Sequence, residues 1–423
     1  MCACHIKMSH KHAVYILYGI IIAVIAAIFA GGIWGEKVLI ISWIGTLFLN
    51  ALKMMIIPLV IAAVITGIAS LGDVRRLGRT GGGTLLFYTS TTALAVLTGM
   101  IVVNIIAPGS GLEFTAPELT ERITEKKDIG ASDIVLMLIS PNLIASAAET
   151  QLLPIIFFAI LFGAAVSTLG AKGRPVLDLF NGINEAMMML VTWVMYFAPF
   201  GIFALVATRL GQAGGGEAFW AEIQAVGLYV VTVITGLAIH FMVLFFLLMV
   251  LARRGVGYLL SMMRALLTAF GTASSSATLP LTMECAREAG VSDRSVRFVL
   301  PLGSTVNMDG TALYEAVAAM FIAQAYGIDL SMGQQAVIFV TATLAAVGAA
   351  GIPEAGLITM VIVLRSVGLP MEGIGLLLAV DWFLDRFRTT INVWGDSVGA
   401  AVMHRYIHED DHGDDWNERQ DIT

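Results

Sequence analysis

Charge is what this sequence is short of. Only 13% of its 423 residues are Asp, Glu, Lys or Arg, while 58% are hydrophobic. A water-soluble chain of this length needs far more polar surface, so a soluble globular protein is excluded. Cysteine is also scarce: the three present, Cys2, Cys4 and Cys285, cannot build a disulfide framework. Cys2 and Cys4 with His5, His10 and His12 have metal-ligand chemistry, but they sit in an end segment that reads as a disordered cytoplasmic tail. Strand-like alternation is missing from the apolar stretches, which excludes a transmembrane β-barrel. No small-residue cleavage site follows the first apolar run, which is therefore read as a retained helix and not a signal peptide. The net charge of −7 says little about partners, and no nucleic acid is expected.

What is present is a series of long apolar runs. Spanning a bilayer takes about 20 such residues. Ala13–Gly35, Gly81–Leu112, Thr150–Ala171, Ala186–Thr208 and Ile223–Ala252 reach that length without Asp, Glu, Lys or Arg. The first part of the chain is predicted to hold helical spans at 13–34, 38–71, 82–108, 134–171, 176–211 and 221–252. Lys53 and Pro58 interrupt the second, and Pro154 is expected to kink the fourth. Basic residues fall between the runs: Lys7, Lys11, Arg75, Arg76, Arg79, Lys172, Arg174, Arg253 and Arg254. The positive-inside bias places the N-terminus, the Gly72–Thr80 loop and the Arg253 loop in the cytoplasm, with the net acidic Glu113–Asp133 segment outside. The glycine runs Gly81–Gly83 and Gly214–Gly216 lack the Lys-Ser/Thr of a phosphate loop and read as interhelical connections.

Beyond Ala252 the pattern changes. Arg264–Glu284 is centred on Gly271–Pro280, with Ser274, Ser275 and Ser276 in a row, and Leu330–Leu364 is centred on Gly348–Gly356. Neither arm of either stretch is long enough to cross. Each is predicted to be a helical hairpin that enters and leaves on one side, a shape tolerated at membrane depth only where it is buried in protein or lines a cavity. One long helix with polar residues mid-span follows each hairpin: Phe298–Ala325, containing Gly303–Thr311, and Gly373–Met403, containing Asp385–Asn392. The unit thus occurs twice, and the charge pattern opens the first hairpin to the cytoplasm and the second to the outside. Interrupted segments at matching positions of inverted repeats point to a transporter's binding site.

At about 100° per residue, Asp381, Asp385, Arg388, Asn392 and Asp396 share one quarter of the last helix. A mid-membrane charge costs about 2.5 kcal/mol or more, so such a stripe must face partners or a ligand. A structural Asp385–Arg388 ion pair is the plain alternative. As a ligand site, Arg388 offers a planar fork for a carboxylate, Asp385 can hold an ammonium, and Asn392 can serve either end, with Thr389 in the same segment. Ser274–Ser276 offer hydroxyls and backbone N–H groups for a second carboxylate, or serve as a hinge. In Asn307–Thr311, Gly310 is expected to permit a local unwinding that frees carbonyls beside Asp309 and Asp396, the oxygen ligands a monovalent cation wants. Thr91 and Thr92 add hydroxyls mid-span in the third helix. Glu315, one turn beyond Thr311, is a candidate proton carrier, and Glu354 lies past the second hairpin tip. His408–His412 matches the zinc-peptidase spacing but lies in a charged tail and is discounted.

Gly271–Pro280, Asn307–Thr311, Gly348–Gly356 and Asp381–Asp396, in that order, resemble the dicarboxylate/amino acid:cation symporters, which include the excitatory amino acid transporters and archaeal aspartate transporters. The resemblance covers Ala13–Met403. It implies an all-α polytopic membrane protein of eight transmembrane helices and two re-entrant hairpins, arranged as inverted repeats and assembled as a homotrimer. Helices in 13–72 and 134–212 would form a fixed scaffold. Those in 82–108 and 221–403 would form a transport domain moving as an elevator, with 404–423 as a cytoplasmic tail. By the same resemblance Arg388 would bind the side-chain carboxylate and Asp385 the amino group, Thr311 and Asn392 would be further substrate ligands, and Ser274–Ser276 the carboxylate cradle. One sodium site would use Gly303, Asn307, Asn392 and Asp396; another Thr91, Thr92, Asn307 and Asp309; a third Thr305 with carbonyls near Val347 and Ala349. Archaeal members carry arginine where this chain has Ala273, whereas Arg386 stands in the last helix here, as in the animal transporters. Those also have glutamate at the Glu315 position and co-transport a proton while returning potassium. Proton coupling is therefore expected, with potassium counter-transport left open.

The function so implied is sodium-coupled uptake of L-glutamate or L-aspartate by a multi-pass protein of the plasma (inner) membrane, both termini cytoplasmic. The competing readings are a proton-coupled glutamate or C4-dicarboxylate carrier, an ion channel and an intramembrane enzyme. Asp385 argues against a plain dicarboxylate, which has no ammonium to offer it. No nucleophile–base pair accompanies the serines, so the chain is not read as an enzyme.

Overall fold

The computed structural model describes residues 10–69, 78–112, 135–149, 151–212, 216–347 and 355–414. Among these the chain is all-helical. In order the helices are α1 (His10–Trp34), α2 (Ser42–Ala69), α3 (Gly78–Ile106), α4 (Leu143–Ala148), α5 (Leu152–Thr168), α6 (Arg174–Tyr196), α7 (Ala198–Gln212), α8 (Gly216–Leu247), α9 (Val256–Thr272), α10 (Ser275–Glu288), α11 (Asp293–Val306), α12 (Asp309–Ala325), α13 (Met332–Val347), α14 (Ala355–Ser366) and α15 (Ile374–Asp414). Cys2, Cys4, His5, the Arg75–Arg76 pair, the Glu113–Asp133 segment, Ala349 and Glu354 lie outside the described residues. Within them, Tyr18–Ala51, Gly81–Ile106 and Trp220–Ala252 are long and apolar enough to cross a membrane unaided. The bent pair α6–α7 adds a fourth such stretch.

Several expected spans are broken differently. The fourth is not one helix. Asn142 starts α4, its side chain accepting from the N–H groups of Ile144 and Ala145, and an extended Gln151 separates α4 from α5. Pro154 therefore causes no kink: it lies in the first turn of α5, where its missing N–H has no intrahelical acceptor to lose. The fifth bends by 57° between α6 and α7, at Phe197. Pro58, by contrast, leaves α2 continuous. The last helix runs past Met403 to Asp414, so His408–His412 is on a helix rather than in an irregular tail.

The hairpins follow the sequence pattern. Their arms, α9 with α10 and α13 with α14, have 17, 14, 16 and 12 residues. At about 1.5 Å per residue none spans a hydrocarbon core of about 30 Å. The arms of each pair pack on one another. Helices α1, α2, α6 and α7 form one packed group, while α3 and α8 pack with the hairpins around α12 and α15. Arg209 of α7 and Glu222 of α8 join the groups through an ion pair of 3.0 Å. Almost every residue of α12 is buried, as is α15 from Leu376 to Met403 along most of its circumference. The polar stripe of α15 is thereby placed at the centre of the second group.

Candidate functional site

Residues Asp381, Asp385, Arg388, Thr389, Asn392 and Asp396 are all buried on α15. The Arg388 guanidinium is fully buried, with Nη2 donating to Asp385 Oδ1 at 2.8 Å and Nη1 2.9 Å from Asp381 Oδ1. Its carbon lies 4.0 Å from the centroid of the Tyr314 ring, a cation–π seat. Among the described residues Nε and Nη1 have no hydrogen-bond partner, the Nη1 approach to Asp381 being an ion pair without hydrogen-bond geometry. The Asp385–Arg388 pair weighed as a structural alternative is thus formed here, and Asp381 shares it. Hairpin 2 closes on this group: a Cβ at Gly356 would sit 2.6 Å from Arg388 Nη1.

The expected long helix after hairpin 1 is interrupted. Asn307 and Met308 leave helical geometry, ending α11 and starting α12 at Asp309. The break falls at Asn307–Met308 rather than at Gly310, which is helical. Gly310 is required for another reason: a Cβ there would lie 2.5 Å from the Arg388 carbonyl oxygen. Its N–H donates to Asn392 Oδ1 at 2.8 Å, and Asn392 Nδ2 donates to Thr311 Oγ1 at 3.2 Å. The Asn392 amide is therefore committed to the Thr311 side.

Two of the expected cation-binding sets converge at the break. Thr92 Oγ1 donates to Asp309 Oδ1 at 2.7 Å, and Thr91 Oγ1 lies 3.4 Å from both Asp309 Oδ1 and Asn307 Oδ1. Asn307 Nδ2 donates to Asp396 Oδ1 at 3.0 Å, and the Gly303 Cα faces Asp396, where a side chain would collide with the carboxylate. Of the third set, the Thr305 hydroxyl donates to Leu302 O within its own helix, and Val347 closes α13 with its carbonyl toward Gly67. Glu315 is fully buried beside Thr359, and among the described residues neither of its carboxylate oxygens meets a hydrogen-bond partner in good geometry.

The serine tip is knitted rather than open. Ala273 takes a left-handed conformation, Ser274 Oγ caps α10 by accepting from Ala277 N, and Thr278 Oγ1 donates to Ser274 O. Ser275 is buried and Ser276 exposed. Arg386 reaches this tip from α15 and donates to the carbonyls of Phe270 and Gly271 at 3.0 and 2.9 Å, acceptors left without an intrahelical donor at a helix C-terminus. Arg386→Ala should therefore loosen the tip. Amide exchange across 268–276 should accelerate about tenfold or more, from loss of roughly 1.5–3 kcal/mol of charge-assisted bonding. Unchanged exchange would show that the tip is held without it.

Sequence reasoning missed His240. It is fully buried in α8, with Nε2 3.0 Å from Asp309 Oδ2. The signal was available: a single histidine in the otherwise uncharged Ile223–Ala252 run. It also gave Asp381 and Tyr314 no role, though both flank Arg388.

The profile of the sodium:dicarboxylate symporter family matches residues 16–406. The chain belongs to this family. It is accordingly a transporter and not an enzyme. This symporter is 39% identical over 430 residues to excitatory amino acid transporter 1 of Ambystoma tigrinum, covering 88% of this chain and 78% of the relative. It is 38% identical over 413 residues to excitatory amino acid transporter 3 of Mus musculus, covering 85% and 78%. An excitatory amino acid transporter of Caenorhabditis elegans is 38% identical over 427 residues, covering 89% and 83%.

Proposed function

We propose that this symporter takes up L-glutamate or L-aspartate together with sodium, with Glu315 carrying a proton. The observation that carries the reading is the buried Arg388 group: a guanidinium whose Nε and Nη1 make no hydrogen bond among the described residues, beside a carboxylate that an ammonium can engage. Arg388 is assigned the substrate side-chain carboxylate and Asp385 its amino group. Thr311, Thr389 and Asn392 line the same helix pair, and the α10 N-terminus at Ser274–Ser276 receives the main carboxylate.

Charge balance supports cation coupling. Asp309, Asp381, Asp385 and Asp396 are buried around Arg388, so among the described residues acidic groups outnumber the guanidinium before an acidic amino acid arrives. An anion enters such a site only if cations enter with it. Asp309 with Thr91, Thr92 and Asn307, and Asp396 with Asn307 and Gly303, supply the hard oxygen ligands sodium prefers. Glu315 is given the proton because a carboxylic acid costs less to bury without partners than a carboxylate does.

The names of the relatives support the substrate class. By resemblance we further propose a homotrimer in the plasma membrane, both termini cytoplasmic, in which α1, α2 and α4–α7 are the scaffold and α3 with α8–α15 as far as Met403 moves as an elevator. Purified protein in liposomes should accumulate labelled L-aspartate or L-glutamate under an imposed sodium gradient. Accumulation on a proton gradient alone would remove the sodium assignment, and no accumulation would overturn the substrate class.

A further inference from the structure

His240 lies outside every residue set assigned so far, yet it makes one of the most buried polar contacts in the protein. It comes from α8, and its side chain and that of Asp309 both have 0% exposure. Nε2 meets Asp309 Oδ2 at 3.0 Å, while Nδ1 has no hydrogen-bond partner among the described residues. A carboxylate oxygen accepts, so Nε2 carries the proton of the imidazole. Its hydrogen bonding is thus spent on Asp309 alone.

The opposite oxygen of that carboxylate is the one turned to the other ligands. Asp309 Oδ1 accepts from Thr92 Oγ1 at 2.7 Å and lies 3.4 Å from Thr91 Oγ1, beside Asn307 Oδ1. Elements α8 and α3 therefore grip the carboxylate from its two ends. A ligating carboxylate commonly needs such an outer partner, which sets its rotation and the electron density on the free oxygen. A buried histidine that merely filled space would not require its Nε2 to meet this particular oxygen.

We propose that His240 is a positioning residue for the cation site, holding Asp309 Oδ1 in register with Thr91, Thr92 and Asn307 and so setting the affinity for sodium. The inference rests on the reading of that oxygen cluster as a sodium site.

The test is sodium binding to the purified, substrate-free full chain, read as the rise in Tm with sodium concentration at constant ionic strength. Sodium at concentration c that binds the folded state alone stabilises it by RT ln(1 + c/Kd), so fitting the rise in Tm gives Kd, the sodium concentration of half-maximal occupancy. Wild type should respond, and Asp309→Asn should respond only at a sodium concentration at least about tenfold higher, the remaining response being that of the Asp396 set. His240→Gln keeps an N–H donor at comparable reach and should keep the half-maximal sodium concentration within about threefold. His240→Leu removes the donor, and His240→Asn shortens it; both should raise that concentration about tenfold or more, whatever happens to their Tm without sodium. If Leu gives no cooperative melt, the Gln–Asn contrast decides. Equal sodium midpoints in wild type, Gln and Asn would overturn the role of His240 and leave the sodium site intact. A wild type that does not respond to sodium would overturn the cation reading, and this inference with it.

Discussion

Arg388→Ala is expected to lower uptake of labelled L-aspartate and L-glutamate at least about 100-fold, a loss of roughly 2.7 kcal/mol in substrate binding. The guanidinium is fully buried and sits within 2.9 Å of Asp381 and 2.8 Å of Asp385. A charge-assisted hydrogen bond to a ligand carboxylate contributes about 1.5–3 kcal/mol, and a fork makes more than one. Alanine also leaves both aspartates without a counter-charge, and breaking a buried pair costs about 3–5 kcal/mol of stability. The result therefore needs a partner variant. Arg388→Lys keeps a positive charge near both carboxylates, so its Tm should stay close to wild type. A point charge cannot reproduce the planar fork, so its KM for acidic substrates should still rise about tenfold or more. Wild-type uptake by either variant would take the substrate carboxylate away from Arg388.

Gly310→Ala adds one methyl group and is expected to reduce uptake more than tenfold. The new Cβ would lie 2.5 Å from the Arg388 carbonyl oxygen and 2.9 Å from its Cα. Both are backbone atoms of α15 and cannot rotate away. Helices α12 and α15 would have to part, and the Gly310 N–H bond to Asn392 Oδ1 at 2.8 Å would stretch with them. Overpacking of this kind typically costs about 1–3 kcal/mol, and here the strain falls on the helix pair that carries Thr311, Arg388 and Asn392. Two other glycines make the comparison specific. A Cβ at Gly236 would meet only the Leu313 side chain, at 3.2 Å or more, and one at Gly227 would meet nothing within 4 Å. Gly236→Ala should cost little, and Gly227→Ala should be neutral or raise Tm, since alanine is favoured over glycine in a helix interior by about 1 kcal/mol. Equal losses at all these positions would mean that helix glycines matter here for flexibility, not for close approach.

Period and charge made much of this protein readable. Arg388 and its aspartates could be assigned to one face because a helix repeats every 3.6 residues whatever surrounds it, and the face is indeed buried as a unit. The short arms on either side of Ser274 could be read as hairpins because length alone rules out a crossing. Breaks inside apolar stretches were less legible. Pro154 stands in a first turn, where proline is tolerated, but within a continuous apolar run the same residue reads as a kink. Asn307 and Gly310 were correctly singled out as unusual in a helix, yet propensity does not say which of them yields. Tertiary contact settled that: Gly310 stays helical because α15 crosses against it, and the chain opens at Asn307 and Met308 instead.

By itself, then, the sequence determined an all-helical membrane protein with an acidic, arginine-bearing last helix, since apolar length, charge placement and helical period are local properties of the chain, and its ordered motifs gave the resemblance to the symporters. Only the tertiary structure decided which oxygen of Asp309 faces Thr92 and which faces His240, and that Asp381 shares Arg388 with Asp385. Those pairings join residues from α3, α8, α12 and α15. Each residue's own helix permits many partners, and packing selects one by leaving no water for a buried charge to turn to.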